Sequence, residues 1–305
     1  MADGIRRGFG RALGRTAIAG NPSDGYGGAV LAATIPSFIA RVVVAAGPTR
    51  SRPDTPALID ATIARFAREL GGDLLPTGKP SGSPVAVLEW HSSIPPSVGL
   101  GGSSAIVIAT LRALCELQGV TLAPDLMAEL ALTIERHDLG IPGGRQDQFA
   151  QAFGGLTFMA FTKPPVYEQL ESRALPPLLI AWRAATAESS GVVHEGLRGR
   201  FNAGVPHVHD GMRELSRLAH RARDAVIARD HAELTRCVDA SFDIRAQIMV
   251  LNPAHVEMVE IARAAGAGVN YTGSGGAVVC VCADALQRER VARALRDAGC
   301  ETVAV

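Results

Sequence analysis

The segment "PPSVGLGGSSAIVIATLRALCELQG" (residues 95–119) constrains the fold of this chain more than any other stretch. Its second half is apolar at nearly every position and ends at Gly119, which predicts a largely buried helix. Gly99, Gly101 and Gly102 come before that helix and permit positive φ angles and close backbone approach. The sequence therefore predicts a glycine-rich loop that leads directly into a buried helix.

Two serines, Ser103 and Ser104, stand where this helix begins. The first N–H groups of a helix have no intrahelical partner and lie at the positive end of its dipole, so they favour a phosphate. A serine hydroxyl there can also bind Mg²⁺, which prefers oxygen ligands. The alternative is an ordinary capped helix after a turn. The Gly-Lys-Ser/Thr of a P-loop is missing, and a dinucleotide-binding loop would not carry paired serines.

Two acidic residues fit the needs of phosphoryl transfer, which requires Mg²⁺ and a residue that orients or deprotonates the acceptor hydroxyl. Glu135 lies near the end of the helix "LMAELALTIERHDLG", and the alternative is a surface ion pair with Arg136 or His137. Asp147 follows two glycines in "IPGGRQDQFAQAFGG" and could instead be a helix N-cap. Arg145 is expected to favour the ionised form of this carboxylate.

For two further glycine-rich segments, the residues alone leave two interpretations open. "NPSDGYGG" (residues 21–28) follows the strand "GRTAIAG" and is either a surface turn or a substrate-binding loop. "NYTGSGGAVVCV" (residues 270–281) is either a tight turn into a strand or a place where the backbone approaches another loop or a nucleotide.

The remaining chain alternates strand and helix patterns. "AVLAATI" and "FIARVVVAA" predict two strands separated by Pro36 and Ser37. "GGDLLPTGKPSGSP" predicts a loop, and helices follow from about Asp210, which we expect to be an N-cap beside His207 and His209. A composition shift near residues 162–175 suggests two domains, 1–165 and 166–305.

Composition excludes several classes of protein. The formal net charge of the 305 residues is zero, so no overall basic field points to nucleic acid. No apolar run reaches the roughly 18 residues that span a bilayer, and the basic start has no apolar signal segment after it. The five scattered cysteines indicate reduced thiols in a cytoplasmic protein. The partner expected is a small molecule bound by a monomer or homodimer.

Three motifs in this order resemble the GHMP kinase superfamily. "GRTAIAGNPSDGYGG" is similar to its first motif, "PPSVGLGGSSA" to its second and "NYTGSGGAVVCV" to its third, and "GGRQDQFAQAFGGLTFM" resembles the segment that carries the catalytic aspartate of sugar-phosphorylating members. Within the superfamily the chain looks most like glucuronokinase and related bacterial sugar kinases. The resemblance implies a two-lobed α+β fold, with a mixed α/β N-terminal lobe and a ferredoxin-like C-terminal lobe.

The resemblance also implies roles for individual residues. Asp147 would be the catalytic carboxylate, with Arg15 near the acceptor oxygen, and Ser104 and Glu135 would hold Mg²⁺. Substrate binding would fall to Asp24, Tyr26, Gly273 and Gly275, because an Asp carboxylate can accept hydrogen bonds from two vicinal hydroxyls of a sugar. ATP would be bound by Pro96, Gly99, Leu100, Gly101, Gly102, Ser103 and Ser104.

Arg15 stands where mevalonate-kinase-like members carry a Lys, which argues against that branch because Arg cannot be deprotonated and reaches differently. The expected reaction is transfer of the γ-phosphoryl group of ATP to a sugar hydroxyl, the anomeric one of a uronic acid or hexose. The alternatives are a kinase of a heptose phosphate or of a mevalonate-type alcohol, and a non-catalytic sugar sensor on the same fold.

Overall fold

A computed structural model describes residues 6–46, 52–70, 85–183 and 190–305 of the chain. The predicted loop "GGDLLPTGKPSGSP" lies outside the described residues. Within the described part, no helix is both long and apolar enough to cross a membrane.

The N-terminal half is a five-stranded antiparallel sheet with four helices. Strand β2 pairs with β1 along one edge and with β3 and β4 along the other, and β4 pairs with β5. The strands and helices are β1 (Arg7–Ala19), β2 (Ala29–Ala46), α1 (Ala57–Leu70), β3 (Val85–Ser92), α2 (Gly102–Gln118), α3 (Pro124–Thr133), α4 (Gln146–Phe153), β4 (Leu156–Ala160) and β5 (Val166–Leu170).

The C-terminal half has a four-stranded antiparallel sheet in the order β7-β8-β6-β9. Along the chain, one strand is followed by helices, then two strands, a helix and a last strand. This is the order of a split βαβ or ferredoxin-like unit, as the resemblance implies. The elements are β6 (Leu178–Trp182), α5 (Ser190–Asn202), α6 (Pro206–Ala228), α7 (His231–Ile248), α8 (Pro253–Ala264), β7 (Gly268–Tyr271), β8 (Ala277–Val281), α9 (Ala285–Asp297) and β9 (Glu301–Ala304). The exact division after residue 165 stays a prediction.

Two sequence-based expectations about the elements are wrong. The two strands predicted around Pro36 are one strand, β2, whose pairing with β1 shifts so that residues 36–38 form a bulge. A bulge leaves residues out of the ladder, so a proline without an N–H is tolerated there. Asp210 is not an N-cap, because α6 already begins at Pro206, and Asp210 instead pairs with Arg213 inside the helix.

The buried helix α2 crosses the face of β1 at very short range. The first sheet packs against α2 on one side and against α6 and α7 on the other. A Cβ on Gly10 would lie 1.8 Å from the Ala109 carbonyl oxygen, and one on Gly8 would lie 2.0 Å from that of Ala113. The approach of helix and strand therefore depends on the two glycines, and it fixes where the glycine-rich start of α2 lies.

We expect Gly10→Ala to lower the free energy of unfolding by at least about 2 kcal/mol, since added atoms in a packed core cost about 1–3 kcal/mol and here must displace backbone. Thermal or denaturant unfolding measures the change. Gly196→Ala is the matched control, because a Cβ on Gly196 in α5 would meet no described heavy atom within 4 Å outside its chain neighbours and the backbone of its own helix. Equal stability of the Gly10 variant and the parent would contradict this account of the packing.

Candidate active site

A cleft of about 1210 Å³ lies at the start of α2. Leu58 of α1, Trp90 of β3 and Ile106 of α2 contribute to its apolar lining, whereas Arg15 of β1 and Asp147 of α4 contribute to its charged lining. Every residue predicted for the site lines this cleft except Gly275, which packs beside the ring of His255.

The glycine-rich loop turns into α2 through three residues with positive φ. Ser97, Gly99 and Gly101 have φ values of 58°, 74° and 72°, and Gly101 is the N-cap of α2. The first intrahelical bond is donated by the Ala105 amide, to the Gly101 carbonyl at 3.0 Å. The N–H groups of the first turn, including those of the two serines, are consequently available to an anion at the positive end of the helix dipole.

Arg15 connects the sequence motifs to one another. It is 3% exposed at the middle of β1, and its Nη1 donates to the carbonyl oxygens of Gly99 (2.6 Å) and Thr272 (2.8 Å). Its Nε and Nη2 contact Asp147 Oδ1 at 2.8 and 2.6 Å. The sequence predicts Arg145 as the partner of Asp147, and this prediction is wrong: the partner is Arg15. Arg145 instead pairs with Glu129.

Asp147 lies in the first turn of α4 with its side chain 28% exposed. Both contacts from Arg15 are made to Oδ1, and no described residue donates a hydrogen bond to Oδ2. The second carboxylate oxygen is therefore available to a group bound in the cleft.

Glu135 is buried beside Ser104 and not paired on the surface. After α3 the chain continues as a π-helical turn, Ile134–Asp138, a local irregularity that is frequent at functional sites. The Ser104 hydroxyl lies 2.9 and 3.1 Å from the two oxygens of Glu135, and the Gln148 amide also donates to Glu135. Burial raises the pKa of Glu135, and the charge of Asp147 adds to the increase, whereas the hydrogen bonds oppose it.

Asp24 is buried and holds the start of α4. Its Oδ2 accepts hydrogen bonds from the backbone N–H groups of Arg145 (2.6 Å) and Gln146 (3.1 Å). Its Oδ1 has no hydrogen-bond partner among the described residues. Burial raises the pKa of this carboxyl and the two amides lower it. The loop "NPSDGYGG" is thus more than a surface turn, because its Asp24 fixes the segment that carries Asp147.

The third glycine-rich segment approaches the second. A Cβ on Gly273 would lie 2.6 Å from the Gly99 carbonyl oxygen, so the two loops touch through backbone. The Asn21 amide donates to the Tyr271 carbonyl at 3.2 Å, and the Asn270 amide donates to Asn21 Oδ1 at 3.0 Å. All three motifs therefore meet at one place.

Several residues at the site were not identified from the sequence. Gln151 donates to the Gly101 carbonyl at 2.7 Å and lies one turn after Gln148, so two buried glutamines share a face of α4. That spacing of amides in an otherwise apolar helix face was a usable signal. Arg245 is fully buried in α7 and donates to the Gly273 carbonyl at 2.7 Å, and burial lowers its pKa to about 10. Nothing local in the sequence marks Arg245.

Comparison with known proteins agrees with this geometry. The family profile "GHMP kinases N terminal domain" matches residues 57–155, and "GHMP kinases C terminal" matches residues 222–299. Together these ranges cover more than half of the chain. The chain therefore belongs to the GHMP kinase family.

Individual relatives are similar over shorter stretches. Glucuronokinase 1 of Arabidopsis thaliana is 36% identical over 207 residues, which are 64% of this chain and 57% of the plant protein. D-glycero-alpha-D-manno-heptose 7-phosphate kinase of Campylobacter jejuni is 38% identical over 107 residues, 35% of this chain and 30% of that protein. The matched region thus spans little more than half the length of the plant relative.

Solved structures share the whole fold. The crystal structure of Streptococcus pneumoniae phosphomevalonate kinase superposes with a TM-score of 0.77 at 17% identity and covers 98% of this chain and 100% of the other. At such identity the likeness establishes the two-lobed fold only.

The raised pKa of Glu135 predicts a pH-dependent difference in stability. Between the ordinary value of 4.5 and the raised value, the folded protein binds more protons than the unfolded chain, so its stability falls as pH rises. Glutamine has no charge to bury, and the free Oε1 of Gln148 can accept a hydrogen bond from the new amide. We therefore expect the melting temperature of Glu135→Gln minus that of the parent to increase as pH rises from about 5 to about 8.

The measurement is thermal unfolding across that pH range without nucleotide or metal. Glu289→Gln is the control, because Glu289 forms an exposed ion pair with Arg296 on α9. A constant difference between the Glu135 variant and the parent at all pH values would show that Glu135 titrates normally.

Proposed function

We propose that this chain is a kinase that transfers the γ-phosphoryl group of ATP to a hydroxyl of a sugar, specifically the anomeric hydroxyl of a uronic acid or hexose. The observation that carries the proposal is the position of Asp147: its free Oδ2 faces the cleft into which the first-turn N–H groups of α2 also open. The identity to glucuronokinases supports a sugar acid as acceptor.

The chain supplies each function that phosphoryl transfer requires. The backbone of Gly99 to Ser104 would bind the phosphates of ATP, and the apolar surface of Leu58, Trp90 and Ile106 suits its purine base. Asp147 would orient the acceptor hydroxyl and take its proton as the oxygen attacks the γ-phosphorus, while ADP leaves. Arg15 would keep the carboxylate in that position.

The oxygen donors of Glu135 and Ser104 fit Mg²⁺, which typically binds one or two protein oxygens and the phosphates of its nucleotide. Burial raises the pKa of Glu135, and a bound cation would favour its ionised form. When bound, Mg²⁺ supplies neutralisation of phosphate charge.

A heptose phosphate is the second candidate acceptor, favoured by the identity to the Campylobacter jejuni enzyme. For either acceptor we infer a cytoplasmic protein, monomeric or homodimeric, that acts on small molecules and not on nucleic acid. The five cysteines, all free and buried, and the zero net charge support this inference.

The direct test of the proposed function is ADP release with Mg²⁺ and ATP over a panel of uronic acids, hexoses and heptose phosphates. No sugar-dependent ADP release from the folded protein would reject the proposed function.

Asp147→Asn should retain the fold and ATP affinity and lose about 10²–10⁴-fold in turnover, because the amide cannot accept the proton of the acceptor. Turnover and ATP titration are measured on the same preparation. Asp210→Asn, in the exposed pair with Arg213 on α6, is the control. Turnover near that of the parent would exclude Asp147 as the catalytic carboxylate.

Asp24→Asn tests whether the opening loop contacts substrate. The amide oxygen can still accept from the Arg145 and Gln146 N–H groups, so the variant should fold. Its NH₂ group replaces the free Oδ1 and cannot accept from a sugar hydroxyl, so acceptor affinity should fall by about 2–4 kcal/mol. ATP affinity should stay unchanged. An unaltered acceptor titration would leave Asp24 with the structural role alone.

A further inference from the structure

We propose that Arg136 and Arg198 together bind an anionic group of the acceptor, either a carboxylate or a phosphate monoester. The inference rests on the proposed function, since it specifies the acceptor of that reaction. It assigns a specificity-determining role to two residues that lie far apart in the sequence.

The two arginines both line the cleft, and each bonds one of the two glycines, Gly25 and Gly144, whose backbones are in contact. Arg198, on α5, donates from Nη1 to the Gly25 carbonyl at 3.0 Å, and its guanidinium lies 4.3 Å from the ring centroid of Tyr26. Arg136, in the π-helical turn, donates from Nη2 to the carbonyl of Gly144 at 3.0 Å and also to that of Gly143.

The contact itself is close. A Cβ on Gly25 would lie 3.3 Å from Arg198 Nη2 and 3.7 Å from the Gly144 Cα. The two guanidinium groups therefore flank one pair of glycines, and each uses only part of its donors on backbone oxygens.

Neither arginine has a carboxylate partner within 4 Å in the part of the chain that the structure describes, although ion pairs are numerous elsewhere in it. Burial and the positive charges of Arg145 and Arg198 lower the pKa of Arg136, whereas the charges of Asp24 and Glu129 raise it. Both guanidinium groups line the cleft without an ion-pair partner among the described residues, and an anionic ligand would relieve the repulsion between them.

The order of contacts places this cationic pair at the acceptor end of the cleft. The glycine-rich loop contacts Arg15 and Arg15 contacts Asp147, while Asp24 lies against Gly144 and directly precedes Gly25. An acceptor whose hydroxyl is at Asp147 would then place its anionic group at Arg136 and Arg198, beside Gly144 and Gly25.

The acidic groups near the pair leave room for an anion. Asp24 uses Oδ2 on two backbone N–H groups, and burial raises the pKa of this carboxyl. Glu129 is bound to Arg145. These carboxylates are thus neutralised in part by their own partners, which reduces their repulsion of a bound anion.

The test compares acceptors that differ in one group. D-glucuronate, D-glucose and D-glucose 6-phosphate are titrated into the parent by calorimetry without ATP, and each is assayed for turnover with Mg²⁺ and ATP. We expect at least one charged sugar to bind more tightly than glucose by about 10- to 100-fold, the range typical of charge-assisted hydrogen bonds. Which charged sugar binds distinguishes carboxylate from phosphate.

Arg198→Gln should abolish that preference while affinity for glucose and for ATP stays within about twofold, and Arg198→Lys should restore part of it, since it keeps the charge and loses the planar fork. Arg136→Lys should likewise reduce the preference for the charged sugar. Arg217→Gln, an exposed arginine on α6 paired with Glu214, changes net charge equally and should have no effect.

Three results would overturn the inference: equal affinity for charged and neutral sugars in the parent, an equal loss for both in Arg198→Gln, or a loss confined to ATP. In each case sugar-dependent ADP release by the parent would leave the proposed function intact. Failure of every sugar to bind and to release ADP would instead reject the proposed function itself.

Discussion

The site depends on the hydrogen bonds and the ion pair that the buried guanidinium of Arg15 makes. From one position on β1 it bonds the glycine-rich loop, the third motif and the carboxylate of α4. A buried cation is stable only when its donors are satisfied, and removal of one partner of a buried ion pair typically costs 3–5 kcal/mol. Arg15 therefore holds the three segments together, because its buried guanidinium needs their oxygen atoms as hydrogen-bond and ion-pair partners.

The other buried polar groups extend this arrangement outward. Asp24 fixes the amides that begin α4, Arg245 donates to the carbonyl of Gly273, and Gln151 donates to that of Gly101. Each contact involves the backbone of a loop, so loop positions are determined by side chains of strands and helices. Such an arrangement keeps the start of α2, which we propose binds phosphate, in a fixed position relative to the carboxylate of Asp147, as catalysis by positioning requires.

The sequence predicted what depends on local pattern. The loop and buried helix of α2, both lobes and the two acids followed from glycine spacing, apolar periodicity and resemblance to a family. It could not predict contacts set by packing between distant elements: Arg15 and not Arg145 beside Asp147, the burial of Glu135, and the contact of Arg198 on α5 with Gly25. Pro36 was read as a strand break because a bulge in β2 depends on the pairing of β1, which no local pattern encodes.

The most direct test of this account is ATP binding by Arg15→Lys, measured by calorimetry beside Asp147→Asn. Lysine has no fork that can reach two carbonyl oxygens and a carboxylate together. If Arg15 organises the cleft, Arg15→Lys should weaken ATP binding by about tenfold or more and also reduce turnover, whereas Asp147→Asn should reduce turnover alone. Arg15→Lys with the ATP affinity of the parent would contradict the claim that this one side chain positions the nucleotide loop and the catalytic carboxylate together.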